Sequence, residues 1–224
     1  MTEYDAEIEW KDGHVPVSRR FADPFYSFDN GLEESRHVFL SGNRLPERFV
    51  PGFHIAELGF GTGLNLLATL LAWRQARPGG KLRFTSFEAY PLSVSEMETA
   101  LAAFPETAEI AAPLIHAWRK GRTRFETEEC SVTVILGDAR QELPDWDGQA
   151  DAWFLDGFAP ARNPELWEAD LMVELARHTR PGGTCATYTA AGQVRRGLDE
   201  AGFDVSRVPG FGRKRHMTIG TLRP

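Results

Sequence analysis

From about residue 53, apolar positions fall into two alternating rhythms, and each change of rhythm marks a new element. Phe53-His54-Ile55-Ala56-Glu57-Leu58 is short, apolar and stopped by glycines, as a buried strand is. Leu64 to Arg77 then sets Leu64, Leu67 and Leu71 on one helical stripe, with Pro78-Gly79-Gly80 as its stop. Leu82 to Glu88 predicts a second strand, and Ser93 with Glu96 three residues on predicts a capping box opening a helix to about Phe104. Val132–Leu136 and Ala150–Leu155 are further strands, ending at Gly137-Asp138 and Asp156-Gly157. Asn163-Pro164 reads as an N-cap and first helical residue of a helix to about His178. Thr184–Tyr188 is a fifth strand and 193–201 a helix. Phe203–Val208 and Met217–Leu222 form a last pair across the turn-rich 209–215.

Strands alternating with helices imply an α/β fold with a mostly parallel seven-stranded sheet, covered on both faces and ending in an antiparallel C-terminal hairpin. The length, 224 residues, suits one domain. Residues 51–224 are its regular core. Residues 1–50, broken by Pro16, Pro24, Gly31, Gly42 and Pro46, predict an irregular N-terminal extension, a candidate lid. With 42% apolar and 25% charged residues, the composition excludes a disordered chain, a collagen and a coiled coil. The longest apolar stretch, Leu66–Trp73, is far short of the ~20 residues that cross a bilayer. Met1–Trp10 carries acids and no base, unlike a secretory or mitochondrial leader, and Cys130 and Cys185 form no disulfide framework. The expectation is a cytoplasmic protein without membrane association. Its oligomeric state is not legible.

Net charge is −7, against a general polyanion binder, but it is unevenly spread. Residues 1–176 carry 16 basic and 29 acidic side chains, whereas residues 177–224 carry 9 and 3. The basic tail is either a solvated face or a local footprint for a phosphate backbone.

The densest motif is Glu57-Leu58-Gly59-Phe60-Gly61-Thr62-Gly63, between the first regular strand and a helix. Glycines there let the backbone turn sharply and approach a ligand. A dinucleotide fingerprint needs G-x-G-x-x-G, yet Leu64 stands where the third glycine belongs. The pattern is acidic-x-G-x-G-x-G, which suits the ammonium and sulfonium of S-adenosylmethionine better than a pyrophosphate. A plain turn with no ligand would need one glycine rather than three. Glu88 ends the second strand, where an acid commonly accepts both hydroxyls of a ribose. Asp138 ends the third strand, as a partner for an adenine amino group or simply as a helix N-cap. Asp156 ends the fourth strand and should face the same crevice, with Phe158 two residues on. That is an arrangement for holding an amine and stacking a base, or a loop aspartate closing its own turn. There is no phosphate-binding loop and no G-x-S-x-G elbow, and the histidines and cysteines show no metal spacing.

Four runs carry a family likeness: Glu57-Leu58-Gly59-Phe60-Gly61-Thr62-Gly63-Leu64-Asn65, Ser86-Phe87-Glu88-Ala89-Tyr90-Pro91-Leu92, 151–164 (DAWFLDGFAPARNP) and Gly210-Phe211-Gly212-Arg213-Lys214-Arg215. Asp23-Pro24-Phe25-Tyr26-Ser27 and 31–40 (GLEESRHVFL) agree as well. Through them the chain resembles, from about Trp10 to Leu222, the methyltransferase part of the MnmC enzymes and their stand-alone MnmD-type counterparts.

The resemblance implies a Rossmann-like class I fold and methyl transfer from S-adenosylmethionine to the exocyclic amine of 5-aminomethyl(-2-thio)uridine at the tRNA wobble position. It implies Asp156 and Phe158 as catalytic residues. Glu57, Gly59, Phe60, Gly61, Gly63, Asn65, Glu88 and Asp138 become the cofactor set, with Tyr26 and Glu34 from the extension. Arg195, Arg196, Arg213, Lys214 and Arg215 become contacts to the tRNA anticodon region, and no metal is implied. The bifunctional enzymes continue into a FAD-dependent oxidase domain, whereas this sequence stops at Pro224. Separate enzymes are then expected to supply the aminomethyl group. A methyltransferase of the same fold acting on a small-molecule or protein amine is the alternative.

Overall fold

The computed structural model describes residues 6–224, so the first half of the acidic start read above lies outside the described residues. The first fifty residues are more regular than their turn-rich sequence suggests. β1 (Ile8–Lys11), β2 (Val15–Ser18) and β3 (Asp23–Pro24) form a small antiparallel sheet. A short helix α1 (Gly31–Ser35), capped by Asn30 Oδ1 accepting from Glu33 N, runs on into a π-helical turn over Arg36–Leu40. Its apolar residues Leu32, Val38, Phe39 and Leu40 sink into the core, which overrides the local glycines and prolines that signal irregularity.

The core continues as β4 (His54–Leu58), α2 (Leu64–Ala76), β5 (Leu82–Glu88), α3 (Val94–Leu101), α4 (Ala108–Arg119), β6 (Arg124–Glu126) and β7 (Cys130–Leu136). Then follow α5 (Ala139–Glu142), β8 (Ala150–Leu155), α6 (Ala169–Arg177), β9 (Thr179–Thr187), α7 (Gly192–Glu200), β10 (Phe203–Pro209) and β11 (His216–Leu222). The large sheet has eight strands in the order β10-β11-β9-β8-β4-β5-β7-β6, not seven. The unforeseen strand is β6, three residues paired antiparallel with β7 at the edge. Its sequence Arg-Phe-Glu is too short and too charged to show a period. The predicted C-terminal hairpin is present, with β11 antiparallel to both β9 and β10.

Two helices also differ. α4 was not legible because Pro113 interrupts it, yet Ile110, Ala111, Leu114 and Ala117 form a buried stripe that outweighs one lost backbone bond. The helix expected from Asn163 is divided. A 3-10 turn covers Pro164–Trp167, α6 begins only at Ala169, and Asn163 makes no side-chain cap. The Trp167 indole N–H instead donates to Phe158 O (2.9 Å), so this turn pins the loop after β8.

The central strands are buried on both faces, as a parallel sheet requires. On one face, Leu66, Leu67, Leu114 and the N-terminal segment pack over Phe84 and Phe154. On the other, Leu171, Leu175 and Leu198 pack over Trp153 and Phe203. Parallel register aligns the strand ends, Leu58 beside Leu155 and Phe87, and Glu88 beside Leu136. From β4 the chain proceeds outward through β5 to β7, then returns to β8 on β4's other side. The topological switch point therefore lies between Leu58 and Leu155, where open α/β sheets bind ligands. No helix among the described residues is long and apolar enough to cross a membrane.

Candidate active site

A cavity of about 760 Å³ opens at that switch point. Its floor is the turn after β4. Gly59 has φ +87°, and a Cβ there would stand 2.5 Å from Asp156 O, so only glycine lets the two strand ends pass this closely. Gly61, also at positive φ, donates its N–H to Glu88 Oε2 (2.8 Å), while Tyr90 N donates to Glu88 Oε1 (2.6 Å). Glu88 is thus clamped between the glycine turn and its own strand end, and it lines the cavity. Burial pushes its carboxyl above the usual range, against the opposing pull of those backbone N–H groups.

Asp156 occupies the centre. Its Oδ2 accepts from Asn65 Nδ2 (2.6 Å), and among the described residues no hydrogen bond reaches its other oxygen. Burial pushes its carboxyl up to about 7, with Glu34 and Asp23 acting in the same direction and Asn65 and Lys214 against it. Beside it Tyr188 donates to Gly157 O (2.8 Å), and the Lys214 ammonium lies 3.9 Å from the Tyr188 ring centre while bridging to Glu34 Oε1 (2.8 Å). Around Asp156 the cavity therefore presents Asp23, Glu34 and Glu88, with Lys214 paired to Glu34 and with Arg20, Arg140, Arg162 and Arg213 also in its lining.

Phe158 lines the wall, but one face of its ring is already taken. Phe21 stacks on it with centroids 4.6 Å apart, and Phe25 meets it edge-on at 5.2 Å. The loop that carries Phe158 is tied down by Asp23 Oδ2, which accepts from Ala159 N (2.8 Å).

The structure brings Gly59, Phe60, Gly61, Asn65, Glu88, Asp138, Asp156, Phe158, Tyr26, Glu34, Arg213 and Lys214 to this cavity. Several sit there differently from expectation. Glu57, read as an acid exposed at the strand tip, is fully buried behind the wall, accepting from Ser86 Oγ and Asn65 Nδ2, because β5 and α2 close over it. Gly63 is the left-handed residue before α2 and is not in the cavity lining. Tyr26 turns its hydroxyl away, donating to His14 O and Ala100 O. Asp138 caps α5 by accepting from Arg140 N, and Arg140 also pairs with both its oxygens, holding the carboxyl below its usual range.

Of the basic set, Arg195, Arg196 and Arg215 lie off the cavity, while Arg213 is at its mouth. Lys214 is already paired with Glu34. Arg195, Arg207 and Arg215 surround His216 and, after burial, hold its ring below its ordinary value. Missed residues include Asp23, Phe21 and Tyr188, which no spacing in the sequence links to Asp156. Arg207 was also missed, as one arginine in an edge strand. Among the described residues there is no cluster fit for a metal.

This donor set fits a nucleoside carrying positive charge. Glu88 stands at the strand end suited to ribose hydroxyls, the glycine turn admits close approach, and the remaining carboxylates neutralise cations. Comparison with known proteins gives the same class. A family described as S-adenosyl-L-methionine-dependent methyltransferase matches residues 105–223. The chain is 48% identical over 229 residues to the tRNA 5-methylaminomethyl-2-thiouridine biosynthesis bifunctional protein MnmC of Pseudomonas paraeruginosa, covering 97% of this chain and 35% of that one. To the protein of that name from Aeromonas hydrophila it is 45% identical, again over 97% and 35%. It thus spans about a third of the length of these curated relatives. The crystal structure of MNMC2 from Aquifex aeolicus superposes with a TM-score of 0.82 at 28% identity, over 99% of this chain and 72% of that one.

Proposed function

This chain belongs to the S-adenosyl-L-methionine-dependent methyltransferase family, and we propose that it methylates the exocyclic amine of a 5-aminomethyl(-2-thio)uridine at the wobble position of tRNA. The names of the MnmC relatives support the substrate. The observation that carries the reading is Asp156, a cavity-lining carboxylate with one oxygen held by Asn65 and the other without a hydrogen bond among the described residues, beside an aromatic wall.

Glu88 and the Gly59–Gly61 turn would hold the ribose and the chain of S-adenosylmethionine, with Asp138 near the base. When bound, the cofactor supplies a methyl group activated by a sulfonium. The protein's remaining task is to bring a neutral nitrogen into line, which is proximity catalysis. An alkyl amine with a pKa near that of lysine, about 10, arrives as an ammonium. The free oxygen of Asp156 accepts its N–H, aims the nitrogen and takes up the proton as the lone pair is engaged. A carboxyl held near neutrality can both receive and release that proton at the working pH. Phe158 and Tyr188, both in the cavity lining, would flank the space for the uracil. Arg213 in the cavity lining, with Arg207 and Arg215 in the same hairpin, would meet anticodon-stem phosphates. An upstream reaction must supply the primary amine, and the expected setting is the cytoplasm.

The deciding experiment gives the purified protein S-adenosylmethionine and tRNA bearing an aminomethyl wobble uridine, then analyses nucleosides by mass. Conversion to the methylaminomethyl nucleoside is expected. Failure to convert it, together with methylation of a small-molecule or protein amine, would overturn the substrate assignment.

A further inference from the structure

Behind Asp156 runs a line of buried side chains, of which Ser35 and Asn65 reach the cavity lining while Glu57 and Ser86 lie behind it. Ser35 Oγ donates to Asn65 Oδ1 (2.6 Å). Asn65 Nδ2 donates to Asp156 Oδ2 (2.6 Å) and to Glu57 Oε1 (2.9 Å), and Ser86 Oγ donates to Glu57 Oε2 (2.7 Å). The chemistry fixes the orientation of the amide. With Ser35 giving its proton to Oδ1, the NH₂ group faces both carboxylates, whereas a flipped amide would set its oxygen against them. Each amide hydrogen is therefore used once.

The parts come from four separate elements: Ser35 ends α1, Glu57 lies in β4, Asn65 opens α2 and Ser86 lies in β5. Glu57 and Ser86 are fully buried, and Ser35 and Asn65 nearly so. A fully buried carboxylate is a costly way to close a turn unless its oxygens are needed as acceptors.

We infer that Asn65 is a positioning residue, held in one orientation by Glu57 and Ser35, that locks one oxygen of Asp156 against the wall, turns the other to the amine and favours the charged carboxylate. The inference rests on the reading of Asp156 as the group that receives the amine. It gives Glu57 a role behind the wall, acting through Asn65, in place of the cofactor contact suggested by its sequence position.

A hydrogen bond to the charged form lowers the pKa of an acid. Groups facing Asp156 from other elements act as well: Asp23 in β3, Glu34 in α1, Glu57 in β4, Glu88 in β5, Tyr188 after β9 and Lys214 in the hairpin loop. Substitutions in the relay leave Asp23, Glu34, Tyr188 and Lys214 in place, so the relay can be read separately.

The measurement is a carboxyl carbon NMR titration of aspartate-labelled protein without cofactor, with the Asp156 signal assigned by its loss in Asp156→Asn. Asn65→Ala should raise the Asp156 midpoint by about one pH unit, since it removes the N–H donor. Ser35→Ala should move it the same way by less. Glu57→Gln, which keeps an acceptor for the amide, should shift it less than Glu57→Leu. Affinity for S-adenosylmethionine, read by calorimetry, should stay within about twofold while turnover at pH 7 falls about fivefold, because a one-unit rise takes the charged fraction of Asp156 from about one half to about one eleventh. A stationary or lowered midpoint in folded Asn65→Ala overturns the inference, as does a large loss of cofactor affinity with an unmoved midpoint. If Asn65→Ala does not fold, Ser35→Ala decides on the same criterion. Turnover retained by Asp156→Ala would strike the catalytic reading instead and leave the titration result intact.

Discussion

The two ends of the parallel sheet bury polar side chains to opposite effect, and strand β8 contributes to both. At its amino end, Asp151 accepts from Arg180 Nη1 (3.0 and 2.9 Å) and from His54 N (2.8 Å). Arg48 donates to Asn43 O (3.0 Å), Asp151 O (3.0 Å) and Thr184 Oγ1. His54, whose ring is held down to about 4 chiefly by burial, uses both ring nitrogens within the protein. Asp151, Arg180, Arg48 and His54 each find a partner within this cluster. At the carboxyl end Glu88, Asp156, Asp23 and Glu34 share one cavity, with Lys214 paired to one of them. A matched polar cluster holds a fold together. An acid-rich cluster left open is arranged for a cation that arrives from outside.

The sharpest way to break this contrast is to remove one aspartate from each end of β8. Asp156→Ala should lower turnover about 10²- to 10⁴-fold, the range for losing a general acid–base group. Affinity for S-adenosylmethionine, followed by calorimetry, should change little. Asp151→Ala should leave turnover per folded molecule unchanged and lower stability by about 1–3 kcal/mol, because Arg180 and His54 N lose their acceptor. Denaturant unfolding reads that loss. If the Asp151 variant lost turnover while the Asp156 variant kept it, the two ends would have been assigned the wrong way round.

The elements that build each end differed in how far they could be read from sequence. The strand ends at Glu57, Glu88, Asp138 and Asp156 were legible because a buried parallel strand is a continuous apolar run, and its stop is marked by glycine and acid. The loops and helices around them were not. Asp23, Phe21 and Ser35 reach the site only because the N-terminal segment folds back over it, and no periodicity records such long-range contacts. Glu57 shows the opposite limit. Its position in the strand was right, but whether its carboxylate pointed to ligand or to core depended on Ser86 and Asn65, 29 and 8 residues away. The resemblance supplied Asn65 as a cofactor contact, and the structure adds that it lines the cavity and donates to two carboxylates.

pH sharpens the contrast without changing a residue. With its carboxyl raised from 3.8 to about 7, Asp156 is charged above that pH and neutral below it. Turnover should therefore fall about tenfold per unit as pH drops below 7, because a neutral carboxyl no longer accepts the amine's proton. Stability runs the other way. Between pH 3.8 and about 7 the folded protein holds a proton that the unfolded chain has released. The contribution is fully present below that window and is lost as pH rises through it. The rate-against-pH profile of Asp156→Asn should lack the limb near 7, and a limb that survives there belongs to another group.

The hairpin tests whether unmatched charge of the other sign follows the same logic. Among the described residues no ion pair engages Arg207 or Arg215, although both act with Arg195 on His216 at the C-terminal hairpin. Clustered cations without internal partners are poised for phosphates, and each phosphate contact releases counterions on binding. Arg207→Gln should therefore weaken tRNA binding several-fold at moderate salt and reduce the slope of log affinity against log salt by about 1. Methyl transfer to the isolated aminomethyl nucleoside should be unaffected, since Arg207 does not line the cavity. This is the smallest effect of the set and the most discriminating. Were the salt slope unmoved while nucleoside turnover fell, the patch would be acting through the fold of the hairpin, and open charge would mark a ligand site only where it is negative.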